Sequence, residues 1–335
     1  MAFDNIKLEK GLYTTGKSFT AALEALDPSE NYIGTELEGL DAYQRQLKRF
    51  DIKVSGSHSD NVAKFFKTTD SAALFPEFVA RAVRQGMEQD NPLDKILATT
   101  TEVDSLDYRA ISTDMDNSSI EPAHIAEGAA IPETVIRLKE TLTPLTKRGR
   151  MLVASYEAVK FQKLDLFSLI LAQIGNAIAK AQLIDAVNVI LSSSDVPYIT
   201  IGENDTGITY SSLLNLWESL GDYQLTTLMA NSAQIKDILT LTEFRDAAAG
   251  LDFHGSGKLV TPFGAEIIRI GGYDLDSRVI GLDSRYTLEK VQAGGIQTDF
   301  DKLIDRQLER ATVTAIAGFS LINVNAATIL DTVIA

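Results

Sequence analysis

The residue types that most often carry catalysis or metal binding occur here in patterns that favour neither. The three histidines, His58, His124 and His254, lie in separate loop-like stretches without the spacing of a shared metal site, so surface roles are predicted for them. Gly255–Gly257 lacks the strand and helix that flank a dinucleotide-binding glycine loop. No GxSxG or SxxK motif marks a nucleophilic serine, and the absence of cysteine excludes disulfides and thiolate chemistry.

One acidic segment begins like a calcium-binding loop, at Asp114, Asp116 and Asn117. Such a loop needs glycine at its sixth position and glutamate at its twelfth, where this chain has Ser119 and Ile125. We therefore expect no metal and no cofactor. Because carboxylates are abundant, a carboxylate-dependent hydrolase stays open as the alternative from another function class, and it would require a pocket containing acids of perturbed pKa.

The composition describes a folded, acidic chain of about two or three domains. Its 335 residues carry 31 Lys and Arg against 46 Asp and Glu, and 45% are hydrophobic, enough for a sizeable core. The net charge of −15 argues against direct binding of nucleic acid, which needs clustered positive charge. The start lacks a secretory signal, and polar residues interrupt the most apolar segment, so no membrane partner is expected.

The elements that would position functional residues begin with an arm, predicted for residues 1 to about 70. Glycine, serine, aspartate and asparagine punctuate two short amphipathic segments there. The second spans Glu36 to Phe50 and has apolar residues at helical spacing: Leu37, Leu40, Leu47 and Phe50. Because an isolated helix of this length is marginal, we expect other copies of the chain to cover its apolar face.

The middle of the chain is predicted to contain a long β-hairpin, between a helix and a strand on one side and a second helix on the other. The first helix begins at Phe75 and ends at Gly86. In the hairpin, residues 105–150, apolar and polar residues alternate: Ile136, Leu138 and Leu142 on one face, Arg137, Lys139, Thr141 and Thr143 on the other. The second helix, about Asp165 to Leu191, would be on the order of 40 Å long.

The remainder has a mixed α/β pattern that ends in a β-rich tail. Asn231 is predicted to cap a helix that follows a short strand. From Leu308 to Ile322 small and apolar residues alternate on one face: Ala311, Val313, Ala315, Ala317 and Phe319.

Opposite charges are segregated between the arm and the hairpin. No Lys or Arg occurs from Glu24 to Asp41, whereas the end of the hairpin is basic within an acidic chain. Because complementary charge fixes register and speeds encounter, we expect these segments to meet between copies. The predicted inter-subunit residues are the acids Glu24, Asp27, Glu30, Glu36, Glu38 and Asp41, and the bases Arg137, Lys139, Lys147, Arg148 and Arg150.

In this order the elements resemble the major capsid proteins of tailed bacteriophages, with the Hong Kong 97-type fold. The resemblance is carried by Ala73–Phe78, Ala126–Glu133, the helix Asp165–Leu191, and Arg306–Ala311. It implies an α+β fold with an N-terminal arm (1–70), a peripheral domain (71–104, 151–194 and 305–335) with a spine helix (165–191), an extended hairpin called the E-loop (105–150), and an axial domain (195–304).

The resemblance implies a structural protein rather than an enzyme. Its copies would form hexamers and pentamers of an icosahedral shell that encloses double-stranded DNA without sequence-specific binding. Scaffolding, portal and decoration proteins are further implied partners, and the protein would be located in the virion after assembly in the host cytoplasm. Some relatives crosslink a hairpin lysine to an asparagine, for which Lys139 or Lys147 with Asn323 or Asn325 would be candidates. An encapsulin-type shell around enzyme cargo is the alternative within the fold.

Overall fold

The structure is a computed structural model that describes residues 6–8, 10–13, 18–89, 91–113, 124–125, 136–155, 157, 161–202, 207–245, 261, 263–273, 275–303 and 308–333. Several residues singled out in the sequence lie outside these ranges: Asp114, Asp116, Asn117, Ser119, Ala126–Glu133, His254, Gly255–Gly257, Arg306 and Gln307. The chain divides into two compact units. Unit 1 comprises Met1–Asn91, Lys147–Ala181 and Gly294–Ile316, and unit 2 comprises Pro92–Thr146, Gln182–Ala293 and Ala317–Ala335.

The described elements mix helices and strands, as an α+β fold requires. The helices are α1 (Phe19–Leu26), α2 (Ala42–Arg49), α3 (Thr69–Ala72), α4 (Phe75–Glu88), α5 (Leu164–Leu191), α6 (Tyr210–Glu218), α7 (Ser232–Thr240) and α8 (Thr242–Arg245). The strands are β1 (Leu97–Val103), β2 (Ile111–Thr113), β3 (Ile136–Leu138), β4 (Thr146–Ser155), β5 (Tyr198–Thr200), β6 (Thr227–Ala230), β7 (Glu266–Arg269), β8 (Arg278–Leu282), β9 (Leu288–Ala293), β10 (Gln297–Leu303), β11 (Leu308–Leu321) and β12 (Ala327–Asp331).

Among the described residues these strands form three sheets. One has the order β1-β9-β11-β10, with β4 also paired to β11, and another has the order β5-β12-β8-β6-β7. The third contains only β2 and β3. Strand β11 runs through both units: its first half pairs antiparallel with β10 in unit 1, and its second half pairs antiparallel with β9 in unit 2. The predicted alternation along β11 is confirmed, since Ala311, Val313, Ala315, Ala317 and Phe319 are all buried.

The described part of the first 70 residues packs within unit 1, which corrects the expectation that other copies cover its apolar residues. Leu23, Leu47 and Phe65 are buried in one core with Phe75 and Phe78 of α4. Leu37 and Leu40 contact Tyr32 in a small second cluster. The prediction of one helical apolar face from Glu36 to Phe50 is wrong in its first part, because α2 begins at Ala42 and Leu37 and Leu40 precede it. The cover for both sets of apolar residues comes from the same chain.

Helices α4 and α5 approach each other closely through glycine. A Cβ atom on Gly86 would lie 2.0 Å from the Ala172 carbonyl oxygen, and one on Gly175 would lie 2.1 Å from the Val83 carbonyl oxygen. The prediction that Gly86 ends the helix is wrong, because α4 continues to Glu88. Gly86 is required for backbone contact rather than for a helix terminus.

The predicted long helix is confirmed as α5, Leu164–Leu191. Leu171 and Ile178 contribute to the core of unit 1, and Val187 and Ile190 contribute to a core of unit 2. By length and composition alone, α5 would be long and apolar enough to cross a membrane, and it is the one such helix in the described part of the chain. Because its buried side chains belong to these cores, we assign α5 as a core-packing helix, of which Leu166, Leu169 and Ile170 are exposed.

In unit 2, the predicted cap of α7 is confirmed. The Asn231 side-chain oxygen accepts hydrogen bonds from the backbone N–H groups of Ala233 (3.0 Å) and Gln234 (2.9 Å). The Gln234 side chain in turn accepts from the Asn231 N–H at 3.0 Å, which completes a capping box.

At the root of the predicted hairpin, strand β2 pairs antiparallel with strand β3. The sequence predicts apolar and polar residues on opposite faces of the hairpin, and in the structure the apolar residues are exposed: Leu138 is 65% exposed and Leu142 is 49% exposed. Of the polar residues predicted on the opposite face, Thr143 is buried and Lys139 is half-buried. Lys139 turns inward because its ammonium finds hydrogen-bond acceptors there, as described below.

Candidate subunit interface

Among the six acids predicted to face a neighbouring copy, Asp27 is enclosed within its own unit. Its Oδ2 accepts a hydrogen bond from Arg45 Nε at 2.7 Å, and its Oδ1 accepts one from the Tyr32 hydroxyl at 2.6 Å. The side chains of Asp27 and Arg45 are both fully buried. The Arg45 guanidinium also donates to the carbonyl oxygens of Leu40 (2.6 Å) and Asp27 (2.5 Å). Asp27 therefore cannot contact another molecule.

Glu24 and Asp41 also have partners within unit 1. Glu24 Oε1 accepts from the backbone N–H of Ala42 at 2.6 Å. Asp41 caps α2 by accepting from the Gln44 N–H at 2.7 Å, and it forms an ion pair with Arg81 at 2.8 Å. Both acids are half-buried, so their charge serves the local fold.

The other three acids, Glu30, Glu36 and Glu38, are exposed on residues 29–40, which we call the acidic loop. At its tip Ile33 is 73% exposed, the most exposed of the large hydrophobic residues described. Glu38 accepts from the Gly34 N–H at 2.8 Å within the loop. The acidic loop thus combines an apolar tip with negative charge that is open to solvent.

Buried contacts hold the acidic loop in one conformation. Within the loop the side chains of Tyr32 and Leu37 are buried, and the Arg45 guanidinium lies 4.4 Å from the centre of the Tyr32 ring. Gly34 (φ 78°) and Gly39 (φ 79°) adopt the left-handed backbone region, which glycine reaches without steric cost. The loop is therefore preorganised rather than dependent on a partner for its shape.

Among the five predicted bases, Lys139 is committed to the root of the hairpin. Its Nζ donates to the Leu321 carbonyl oxygen at 2.5 Å and lies 3.3 Å from Ser320 Oγ. Burial lowers the pKa of the Lys139 ammonium, and the Glu289 carboxylate partly offsets this effect. Glu289 itself accepts from the Tyr108 hydroxyl at 2.7 Å, so this network ties the hairpin root to the sheet of unit 2.

The remaining bases are more accessible. Arg137 on β3, and Lys147 and Arg150 on β4, are exposed, and Arg148 is half-buried. Strand β4 also exposes two apolar side chains, Met151 and Val153, each at 51%. Among the described strands β4 pairs only with β11, so its other edge is unpaired. Charge counting identified the bases of β4 but missed its apolar surface.

Sequence reasoning also missed Ile33 and Arg45. Ile33 is the exposed apolar residue of the acidic loop, and Arg45 holds the loop by hydrogen bonds to Ser29 and Leu40. Ile33 could have been found as an isolated large apolar residue between acids and glycines. Arg45 is the first base after the acid-rich stretch, but its position alone does not show that it pairs with Asp27.

The described residues provide little for catalysis. No group of three or more His, Cys, Asp or Glu side chains that could hold a metal is found among them. An open groove of about 380 Å³ is lined by Asp107, Arg109, Leu138 and Leu142. Asp283, whose carboxyl pKa is shifted, lies elsewhere: burial opposes its charged form, but hydrogen bonds from Arg285 hold its pKa below the usual value.

That pattern differs from the one expected of a hydrolase, which would need an acid of raised pKa in a cleft. The two described histidines, His58 and His124, are both exposed, as predicted.

Comparison with known proteins identifies the fold and the family. A model of the phage capsid protein family matches residues 139–325, more than half of the chain. A virus-like particle protein from Pyrococcus furiosus is 13% identical over 77% of this chain and 99% of that chain, with a TM-score of 0.50. The capsid of a native GTA particle is 14% identical (73% and 90%, TM-score 0.54), and that of Gordonia phage Cozz is 15% identical (73% and 87%, TM-score 0.51).

No curated protein sequence matches the chain. The similar solved structures share too little sequence to indicate more than the fold, which is the Hong Kong 97-type capsid fold. The family match covers α5, most of the mixed α/β region and β11. The chain therefore belongs to the phage capsid protein family, and it is a major capsid protein of the tailed-phage type.

Proposed function

We propose that this chain is a structural, non-catalytic shell subunit whose copies form hexamers and pentamers of an icosahedral capsid around packaged double-stranded DNA. The observation that carries the proposal is the family match over residues 139–325. It is supported by apolar side chains that the single chain leaves exposed, on the acidic loop, on β4 and at the hairpin root. Neighbouring exposed apolar residues, such as Met151 with Val153, are typical of interaction surfaces. Assembly would take place in the host cytoplasm.

The charge of the chain fits a wall that must not bind its contents. DNA carries dense negative charge, and a protein surface that neutralises phosphates binds it tightly. A chain with a net charge of −15 repels DNA on average, so the genome can be packed without being held by the wall. The DNA is therefore enclosed without sequence-specific binding. Besides other copies of the chain, scaffolding, portal and decoration proteins are the partners that this role implies.

Within the shell, the exposed acids of the acidic loop pair with exposed bases of a neighbouring copy. The accessible groups are Glu30, Glu36 and Glu38 on one side, and Arg137, Lys147 and Arg150 on the other. Exposed ion pairs add little to stability, and their role is to fix register and to speed encounter.

Charge reversal tests this pairing. The triple variant Arg137→Glu, Lys147→Glu and Arg150→Glu should sediment as free subunits at physiological salt while its circular dichroism stays that of the wild type. The matched control reverses three exposed lysines elsewhere, Lys48, Lys180 and Lys236, and should still assemble. Equal assembly of both triple variants would contradict the pairing.

The contents of purified particles test the capsid function itself. Particles isolated from cells in which the complete virion forms should retain double-stranded DNA after nuclease treatment, and release it only when the shell is opened. Particles that hold a defined enzyme and no nuclease-protected DNA would refute the proposal and indicate an encapsulin-type compartment.

A further inference from the structure

We propose that the acidic loop of one copy docks on the exposed face of β4 of a second copy, with Ile33 against Met151 and Val153. The inference rests on the proposed shell function and adds a specific contact to it. Its centre is apolar and its rim is charged, and both surfaces lie in unit 1.

The loop has the properties of a rigid projection. Ile33 is exposed although the residues on either side of it are fixed: Tyr32 is buried next to it, and Gly34 donates to Glu38. A fully buried ion pair, Asp27 with Arg45, holds the base. Buried ion pairs contribute little net stability compared with apolar residues of the same volume, whereas they can specify one conformation. Here the specified conformation presents an isoleucine to solvent, which lowers the entropy that the loop loses on binding.

The exposed face of β4 has the complementary properties. Strand β4 contains three bases and no acid, in a chain with 46 acids and 31 bases. Its exposed residues Met151 and Val153 provide an apolar centre, and Lys147 lies on the same face of the strand because side chains alternate, whereas Arg150 is exposed on the opposite face. An unpaired strand edge with exposed apolar side chains is otherwise a liability for aggregation, which natural proteins cover.

A second copy is the occupant that these observations favour. The loop carries exposed acids next to its apolar tip, and β4 carries Lys147 on the same face as its apolar centre, so charge and polarity match between the two surfaces. The surfaces are different patches of one chain, so the contact is heterologous. Each subunit can then donate a loop to one neighbour and accept a loop from another, which generates rings or extended lattices rather than a closed dimer.

Disulfide trapping tests the contact, because the natural chain has no cysteine. Two single variants, Ile33→Cys and Val153→Cys, are co-assembled from separate pools and oxidised, so that any mixed disulfide joins two molecules. The expected product is a covalent dimer on non-reducing gels, since a disulfide requires Cα atoms within about 7 Å. As the control, Ile33→Cys is mixed with a Trp217→Cys variant, whose side chain is equally exposed at 51% but lies on α6.

Each outcome of the crosslinking experiment either supports or overturns the contact between the acidic loop and β4. A dimer with Val153→Cys and none with Trp217→Cys supports the contact. Intact particles without the Val153 crosslink, or with equal crosslinking to Trp217, overturn it and leave the shell function standing. Failure of the wild-type protein to form particles would refute the shell function instead.

A concentration series gives an independent readout. Ile33→Asp should raise the protein concentration needed for assembly by about tenfold or more, whereas Ile33→Val should have little effect. Because Ile33 is exposed, both free subunits should keep the wild-type melting temperature. An unchanged assembly threshold for Ile33→Asp would overturn the proposal.

Discussion

Replacement of Arg45 by methionine should destabilise unit 1 strongly, because Arg45 has four hydrogen-bond acceptors and no access to water. Its guanidinium donates to Asp27 Oδ2 (2.7 Å), to Ser29 Oγ (2.9 Å), and to the carbonyl oxygens of Asp27 and Leu40. Methionine fills similar volume but leaves the Asp27 carboxylate buried with only the Tyr32 hydroxyl as a side-chain donor. Breaking a buried ion pair in this way costs about 3–5 kcal/mol of unfolding free energy.

Thermal and urea unfolding of the unassembled subunit would measure this loss. For a unit of this size a change of 1 kcal/mol shifts the melting temperature by about 2–4 °C. The Arg45→Met variant should therefore melt about 6–20 °C below the wild type. The control Arg84→Met, at an exposed position of α4, should change the stability by less than about 0.5 kcal/mol.

A double variant separates the stability lost through an unpaired buried charge from the stability lost through altered packing. If Asp27→Asn is added to Arg45→Met, part of the lost stability should return, because no unpaired charge stays buried. Hydrogen exchange of residues 29–40 should rise in the single variant if Arg45 holds the acidic loop. An Arg45→Met subunit within about 1 kcal/mol of the wild type, with unchanged exchange in the loop, would refute the account of Arg45 as its support.

The remaining predictions concern helix packing, acid stability and the hairpin root. Gly175→Ala should destabilise the subunit by about 1–3 kcal/mol in urea, since its Cβ would lie 2.1 Å from the Val83 oxygen, whereas Gly207→Ala, in open space, should not. Because the pKa of Asp283 is depressed, its contribution is present above about pH 4 and is lost as the pH falls through the folded-state pKa. Asp283→Asn should therefore be less stable than the wild type at pH 7 in urea and approach it near pH 3, and an unchanged difference would contradict this. Lys139→Met should speed hydrogen exchange at the hairpin root, whereas Lys147→Met should not.

Local patterns predicted those elements whose buried face lies along a regular spacing. The apolar positions of α5 recur at helical steps, and the predicted start at Asp165 differs by one residue from the observed start at Leu164. The alternation along β11 and the cap at Asn231 are likewise properties of neighbouring residues. Such features depend on residues that are close in sequence, because the geometry of a helix or strand determines which of them share a face.

Tertiary contacts explain where the sequence reasoning failed. The apolar side chains of Leu37, Leu40 and Leu47 need cover, but the sequence does not show that they fall into two clusters or that the same chain covers both. Glycine is common just after the end of a helix, which is why the sequence predicts that Gly86 ends α4. The structure shows instead that Gly86 lies inside α4, where the close approach of α5 leaves no room for a Cβ atom. At the hairpin root, Lys139 faces inward because acceptors from distant parts of the sequence, Leu321 and Ser320, surround its ammonium.

The candidate interface shows the same limit. Counting charges marked eleven residues, but burial decides which of them can contact a neighbour. Asp27 is paired with Arg45, eighteen residues further along the chain, and no pattern in the stretch from Glu24 to Asp41 reveals that partner. The apolar residues that complete the two surfaces, Ile33, Met151 and Val153, carry no charge and were invisible to that count.

Electron microscopy of the purified full-length protein tests the central claim most directly. The account predicts closed particles whose reconstruction has icosahedral symmetry, with capsomers of five and six copies. A uniform population of separate subunits, at concentrations and salt conditions where related capsids assemble, would contradict it.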